Sequence, residues 1–402
     1  MFKGMTESER AQAYSKSIDL LKSASTPFGF VASTNEVTNY SRIWTRDATI
    51  TGLACLLAGD EQLITTFKKA IITMFDHQHD VGFMPSNVDP SSGKVSYGGT
   101  VGRTDNVCWA PIGLLSYSLF SGNDSLSTKY RLKVDKCFSL LNAWEYNGKG
   151  LVYVPQSGDW ADEYVQHGYI LFNQLLRVWA LELAAKVYHD PVYQVKADEI
   201  RAIVQNNFWK NPDSSKYYAP NMIHQLEDIS ADFWVMGFNP SRVYSQFDLQ
   251  ANSLALLLKI GNPDQRKILV NYLTSFIDQQ ENLLPSFHPS LKEGDVLYED
   301  LKHNYAYEFR NFANEFHNGG LWQVWNGFLT AALVQSGEPE YASKMLEFIQ
   351  QANFKNTSPE PWGFYENCNG LTFDPIGVQN CTWSASGQII ANQYVNGKKF
   401  MI

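Results

Sequence analysis

Apolar and polar residues along the chain recur with two different patterns. In one, apolar side chains keep a period near 3.6: Leu63, Phe67, Ala70, Ile71, Met74 and Phe75 share one face, while Lys68 and Lys69 take another. In the other, the segment is apolar nearly all round, as in "GYILFNQLLRVWALELAAKV" from Gly168 and "NGGLWQVWNGFLTAALV" from Asn318. Such helices suit positions covered by neighbours on every side. In chain order the pattern predicts about twelve helices, starting near residues 7, 47, 61, 105, 128, 168, 191, 248, 264, 318, 339 and 384. The two kinds alternate. Even-numbered helices are apolar and aromatic, and odd-numbered ones such as "KYRLKVDKCFSLL" and "VYQVKADEIRAIVQ" carry a charged face. Six inner helices alternating with six outer ones predict an all-α (α/α)6 barrel, closed as a ring of hairpins.

Length and composition fit this scheme. The chain has 402 residues, 44% apolar and 18% charged, with no linker rich in Pro, Gly or Ser, so residues 1–402 read as one barrel domain. A net charge of -9 without any Lys/Arg block argues against nucleic acid or an anionic membrane as partner. No apolar stretch has the length of a membrane span, and the N-terminal segment lacks the apolar run of a signal peptide, so a cytoplasmic protein is expected. Five cysteines, Cys55, Cys108, Cys137, Cys368 and Cys381, show no metal-ligand spacing and read as buried thiols.

Polar and aromatic clusters precede the even helices: "NYSRIWTRD" ending at Asp47, "GRTD" at Asp105, "SGDWADEYVQH" before Gly168, "SQFDLQAN" around Asp248, "NEFHNGG" around His317, and "CTWS" at Ser384. With parallel inner helices, all six meet at one end. A cup lined by carboxylates, amides and Trp is suited to a sugar, whose hydroxyls need donors and acceptors and whose C–H faces stack on rings. Trp44, Trp109, Trp160, Trp322, Trp362 and Trp383 lie in or beside these clusters. From the residues alone two readings stay open for Asp47, Asp105 and Asp248: helix caps, or acids of a catalytic site. Glu366, in the aromatic loop "PWGFYENCNG", is equally open between a solvated loop residue and the second carboxyl that glycoside hydrolysis requires. There is no HExxH, no GxSxG elbow, no phosphate loop and no dinucleotide fingerprint, so chemistry without metal or cofactor is expected.

With those motifs in order, the sequence resembles the inverting (α/α)6-barrel glycoside hydrolases, which include glucoamylases, trehalases, processing α-glucosidases and neutral/alkaline invertases. The similarity runs from "WTRD" at Trp44 to "TWSASGQ" at Gln388. It is closest to amylo-α-1,6-glucosidase-like and neutral-invertase-like members, through "WTRDATITGLACLLAGD", "VSYGGTVGRTDNVCW", "SGDWADEY" and "HNGGLWQVWNG". The resemblance implies a general acid at Asp105 and a general base at Glu366. It places Arg46, Asp47, Asp159 and Trp160 on the hydroxyls of the terminal sugar, with Trp44, Trp109, His317, Asn318 and Trp383 completing the subsite. The activity it implies is hydrolysis of a short α-glucoside, a disaccharide or small oligosaccharide, with inversion. Two rivals stand beside it: a sugar 2-epimerase using His167 and His317, and a saccharide-binding protein without turnover.

Overall fold

The computed structural model describes every residue except 1–4, 36, 38, 211–216, 220–221, 230–231 and 401–402. Six helices form an inner ring: α2 (Thr45–Ala58), α4 (Asn106–Ser121), α7 (Leu171–Tyr188), α10 (Leu249–Leu257), α13 (Gln323–Gln335) and α15 (Thr382–Val395). Each packs on the next, and α15 returns to α2. The outer helices are α1 (Glu7–Ser23), α3 (Glu61–Asp76), α6 (Arg131–Ala143), α8 (Pro191–Asn207), α11 (Pro263–Gln280) and α14 (Pro339–Phe354). Three short helices, α5 (Ser125–Lys129), α9 (Met222–Asp228) and α12 (Tyr298–Lys302), lie in the connections.

The apolar-all-round segments are inner helices because both their faces are covered. Where α13 meets α15 the backbones touch: a Cβ on Gly327 would lie 2.4 Å from the Gly387 carbonyl oxygen, and one on Gly387 the same distance from that of Gln323. Only glycine allows so close a crossing.

The two helix sets also start differently. Four of the six outer helices open on side-chain caps: Thr6 and Asn262 form reciprocal capping boxes with Glu9 and Gln265, while Asp60 and Asp190 accept from the first turns of α3 and α8; α6 and α14 have no such cap. Among the inner helices, Asp248 alone supplies such a cap, accepting from Ala251 N at 2.7 Å. The helices α2, α4, α7, α13 and α15 begin without a side-chain cap among the described residues.

α2 and α7, like the capped α10, follow directly on short strands, and other strands lie in the loops before the remaining inner helices, which corrects the expectation of a purely α protein. β3 (Ile43–Trp44), β4 (Asn87–Val88) and β5 (Val95–Ser96) tie the loop before α2 to the loop before α4. β6 (Tyr169–Ile170), β7 (Val235–Asn239), β8 (Arg242–Asp248) and β9 (Phe287–His288) join the loops before α7, α10 and α13 in an antiparallel sheet. Two hairpins, β1 (Ser25–Thr26) with β2 (Gly29–Phe30) and β10 (Asn367–Cys368) with β11 (Pro375–Ile376), complete the strands. Single bonds fill the remaining gaps: Thr104 N to Gly158 O, a Leu321–Cys368 bridge, and a Ser33–Cys381 bridge. Successive loops are therefore linked around the whole rim, fixing the six clusters relative to one another.

Candidate active site

The rim encloses a group of charged residues drawn from five inner-helix starts, those of α2, α4, α7, α13 and α15. At its base Asp105 has none of its surface exposed and receives both Arg46 Nε (2.7 Å, on Oδ2) and Arg46 Nη2 (3.2 Å, on Oδ1). The cap reading of Asp105 fails, because its side chain makes no bond to the first turn of α4. For the proton-donor reading, the relevant geometry is the pairing with Arg46. Both oxygens are committed to a guanidinium that its neighbouring carboxylates hold cationic, and none of the residue faces the cup. Arg46 is also buried, at 7% exposure, and its two bonds to Asp105 tie α2 to the start of α4.

Above this pair stand carboxyl groups with very different surroundings. Asp47 lies in the first turn of α2 and remains partly exposed; burial, aided by Glu366 and Asp105, pushes it up to about 7. Asp159 is buried and accepts from Ala161 N (3.0 Å) and Gln166 Nε2 (2.7 Å), yet burial and Asp105 also push it to about 7. Asp162, three residues on, binds Arg103 Nη2 through Oδ2 (2.7 Å) and keeps about a third of its side chain exposed (35%). Glu366 accepts from the Tyr40 hydroxyl at 2.7 Å; burial raises its carboxyl, while Tyr40, Arg310 and the Val378 amide pull the other way.

These groups act on one another. Glu366 lies within electrostatic reach of Arg310 and Asp162, Asp47 within reach of Glu366 and Asp105, and His317 within reach of Asp162, Arg310, Arg46 and Arg103. Loops far apart in sequence thus meet in one cup, whose two partly open carboxyls, Asp47 and Asp162, lie near a third, Glu366.

Aromatic residues form one wall. Trp160 is packed against Phe287, His317, Trp322 and Trp325, and Trp383 stands edge-on to Trp322 at 5.2 Å. His317 stacks on Trp322 at 5.5 Å with rings nearly parallel, and burial lowers it to about 4. It is therefore a neutral imidazole at neutral pH. Trp44 is partly exposed at the rim and donates its ring N–H to Asn39 O.

Two expected contacts are misplaced. Trp109 is fully buried, against Phe172 and Trp179, down the barrel axis and away from the cup. Asn318 spends its amide on backbone, accepting from Leu291 N and donating to Leu291 O and Asn311 O. It fixes the rim loop. Asp248, the third acid of the sequence reading, is a buried cap.

Other residues of the site lay unnoticed inside the quoted motifs: Tyr40 in "NYSRIWTRD", Arg103 in "GRTD", Asp162 in "GDWADEY". Arg310 had no such signal. The amides of Asn173, Gln250 and Gln323 also lie inside quoted segments; they are buried in the first turns of α7, α10 and α13 with both polar atoms unpartnered among the described residues. Such groups suit the hydroxyls of a bound sugar. No cluster of His, Cys, Asp and Glu among the described residues is arranged to hold a metal ion.

Similarity to known proteins agrees with this chemistry. Residues 161–397 match the family model of alkaline and neutral invertases. The chain is 22% identical over 435 residues to "Probable alkaline/neutral invertase F" of Arabidopsis thaliana, covering 92% of this chain and 84% of that protein. In fold it is similar to a mannosylglycerate hydrolase of Thermus thermophilus, with a TM-score of 0.68, 12% identity, and coverage of 94% of this chain and 99% of the other. A bacterial glucoamylase complexed with acarbose aligns with a TM-score of 0.64 at 14% identity, over 98% of this chain and 57% of the other. On the family match, the chain belongs to the alkaline and neutral invertases, a family of glycoside hydrolases.

Proposed function

We propose that the protein hydrolyses a short α-glucoside, with sucrose as the first substrate to test, by a single displacement with inversion. The observation that carries the reading is the placement of Glu366, 7% exposed, and Asp162, with 35% of its side chain exposed, on different loops of one cup and within electrostatic range of each other. Hydrolysis with inversion needs one carboxylate to activate water and one carboxylic acid to protonate the leaving oxygen from the other side. Glu366 is the base, oriented by Tyr40. The acid is Asp162 and not Asp105, because Asp105 is sealed against Arg46 whereas Asp162 opens to the cup and pairs with Arg103 through one oxygen. Asp47, with Trp383 and the buried amides, binds hydroxyls of the glucosyl unit. Asp159 holds the loop that carries Asp162, through Ala161 and Gln166.

One observation favours a second assignment of the acid: Asp47 is raised to about 7, which suits a proton donor at neutral pH. Substrates with good leaving groups separate the two. α-Glucosyl fluoride departs with little help from an acid, so Asp162→Asn is expected to lose about 100-fold in kcat/KM on sucrose and much less on the fluoride. Asp47→Asn, having lost a sugar contact, falls on both substrates alike. The reverse pattern assigns the acid to Asp47.

Tyr40 provides a test of Glu366 that does not remove it. The Tyr40 hydroxyl stabilises the ionised carboxylate, so its loss raises Glu366 further. Since the base works only when ionised, Tyr40→Phe is expected to move the acidic limb of the kcat/KM profile up by about one pH unit. An unmoved limb separates that limb from Glu366.

The rival with a histidine pair has less behind it. His317 is walled in by Trp160 and Trp322, and His167 is tied to Tyr244 and Asn239. All five cysteines are buried free thiols, which supports a reducing, cytoplasmic setting. No helix among the described residues is long and apolar enough to cross a membrane.

A further inference from the structure

A second concavity is lined by the 97–104 loop. It encloses about 430 Å³, within the ~300–1,000 Å³ of ordinary small-molecule sites, and its walls include Phe83, Tyr97, Trp144, Tyr146, Tyr153 and Arg103. None of the carboxylates described above lines it.

Its rings are held in place. Trp144 stacks on Phe83 (6.1 Å between centroids, 14° between planes), Tyr153 meets Tyr146 edge-on at 6.2 Å, and Tyr97 is anchored by its hydroxyl to His77 O at 2.9 Å. Tyr146 is 77% exposed and has φ +58°, the left-handed region that a bulky residue enters at a cost. A large aromatic held in solvent on strained backbone gains nothing for the core.

Arg103 supplies the polar element. Its side chain is 10% exposed and is bound to Ser157 O and Asp162, and its Nε is buried without a partner among the described residues. Because Asp162 already balances its charge, the cleft has no net attraction for an anion. Aromatic faces beside a neutralised donor and a glycine-rich backbone (Gly98, Gly99, Gly102) match the C–H faces and hydroxyls of a neutral sugar.

We propose that this cleft is a second saccharide-binding site, which takes one or two neutral sugar units and is coupled to the cup through Arg103. The coupling has a structural route, since the guanidinium that lines the cleft also grips Asp162. The site itself does not depend on the hydrolytic reading; only the coupling rests on it.

Labelling with 5-fluorotryptophan gives a separate reporter for each region: Trp144 for the cleft, and Trp160, Trp322 and Trp383 for the cup, assigned by single Trp→Phe variants. The Glu366→Gln protein is titrated with sucrose, maltotriose and raffinose and followed by fluorine NMR. Trp144 is expected to shift with at least one sugar, with a midpoint distinct from that of the cup tryptophans. Tyr146→Ala, at an exposed position, is expected to weaken that midpoint about tenfold and leave the cup midpoint unchanged. A Trp144 signal that stays fixed up to the solubility limit of all three sugars, or that moves undiminished in Tyr146→Ala, overturns the proposal. Cup tryptophans that ignore every sugar count against the hydrolase reading instead, and the Trp144 result is still read.

Discussion

Replacing Glu366 with Gln is expected to lower kcat by about 10⁴-fold on sucrose and on α-glucosyl fluoride alike, with little change in KM. The two substrates suffer equally because the base activates water whatever the leaving group, which sets this variant apart from Asp162→Asn. Gln preserves the shape of the side chain and can still meet Tyr40, so folding is expected to be intact. A shorter replacement, Glu366→Ala, opens space where water was activated, and added azide is expected to restore turnover by attacking the anomeric carbon directly. For an inverting enzyme the product is the β-glycosyl azide. Absence of rescue together with a large rise in KM would make Glu366 a binding residue.

Asp105→Asn is expected to act mainly on stability. The change leaves a buried guanidinium, Arg46 at 7% exposure, facing a neutral amide. Breaking one side of a buried ion pair costs about 3–5 kcal/mol, measured by urea denaturation. The double replacement Arg46→Met/Asp105→Leu removes both charges and is expected to regain much of that loss. If Asp105 were the proton donor, Asp105→Asn would in addition cut turnover of sucrose in the folded protein while sparing turnover of the fluoride. The structural link at stake is that of α2 to the start of α4, which Arg46 and Asp105 join by two hydrogen bonds.

These assignments mark the boundary between what was legible in the chain and what was not. The starts of α1, α3, α8, α11 and α14 fell at or within a residue of the positions read from the pattern, because Thr6, Asp60, Asp190 and Asn262, and the prolines of α8, α11 and α14, announce them. α13 begins at Gln323 and not near 318, since "NEFHNGG" is a rim loop whose Asn318 bonds backbone. Most rim strands are two residues long, too short to show alternation, so the paired rim was invisible.

The site was legible as a set of clusters, whereas the pairing of residues within it was not. Arg46 and Asp105 are 59 residues apart, and nothing local says that they pair. The opening of "GRTD" gave its importance to Asp105 although the neighbouring Arg103 reaches into the cup's chemistry, and "GDWAD" gave it to Asp159 although Asp162 is the more exposed acid. Trp109 shows the same limit: one turn into a helix, a ring stacked with core residues has left the cup. Spacing fixes which loop a residue belongs to; burial and partners decide what it does there.

The central claim is inversion at an α-glucosidic bond by two carboxyl groups of this cup. Proton NMR of the anomeric region during the first minutes of sucrose hydrolysis, before mutarotation, tests it most directly. The account predicts β-glucose first, decaying toward the equilibrium mixture, and no such signal with Glu366→Gln. α-Glucose appearing first, or glucose released undiminished by Glu366→Gln, would contradict it.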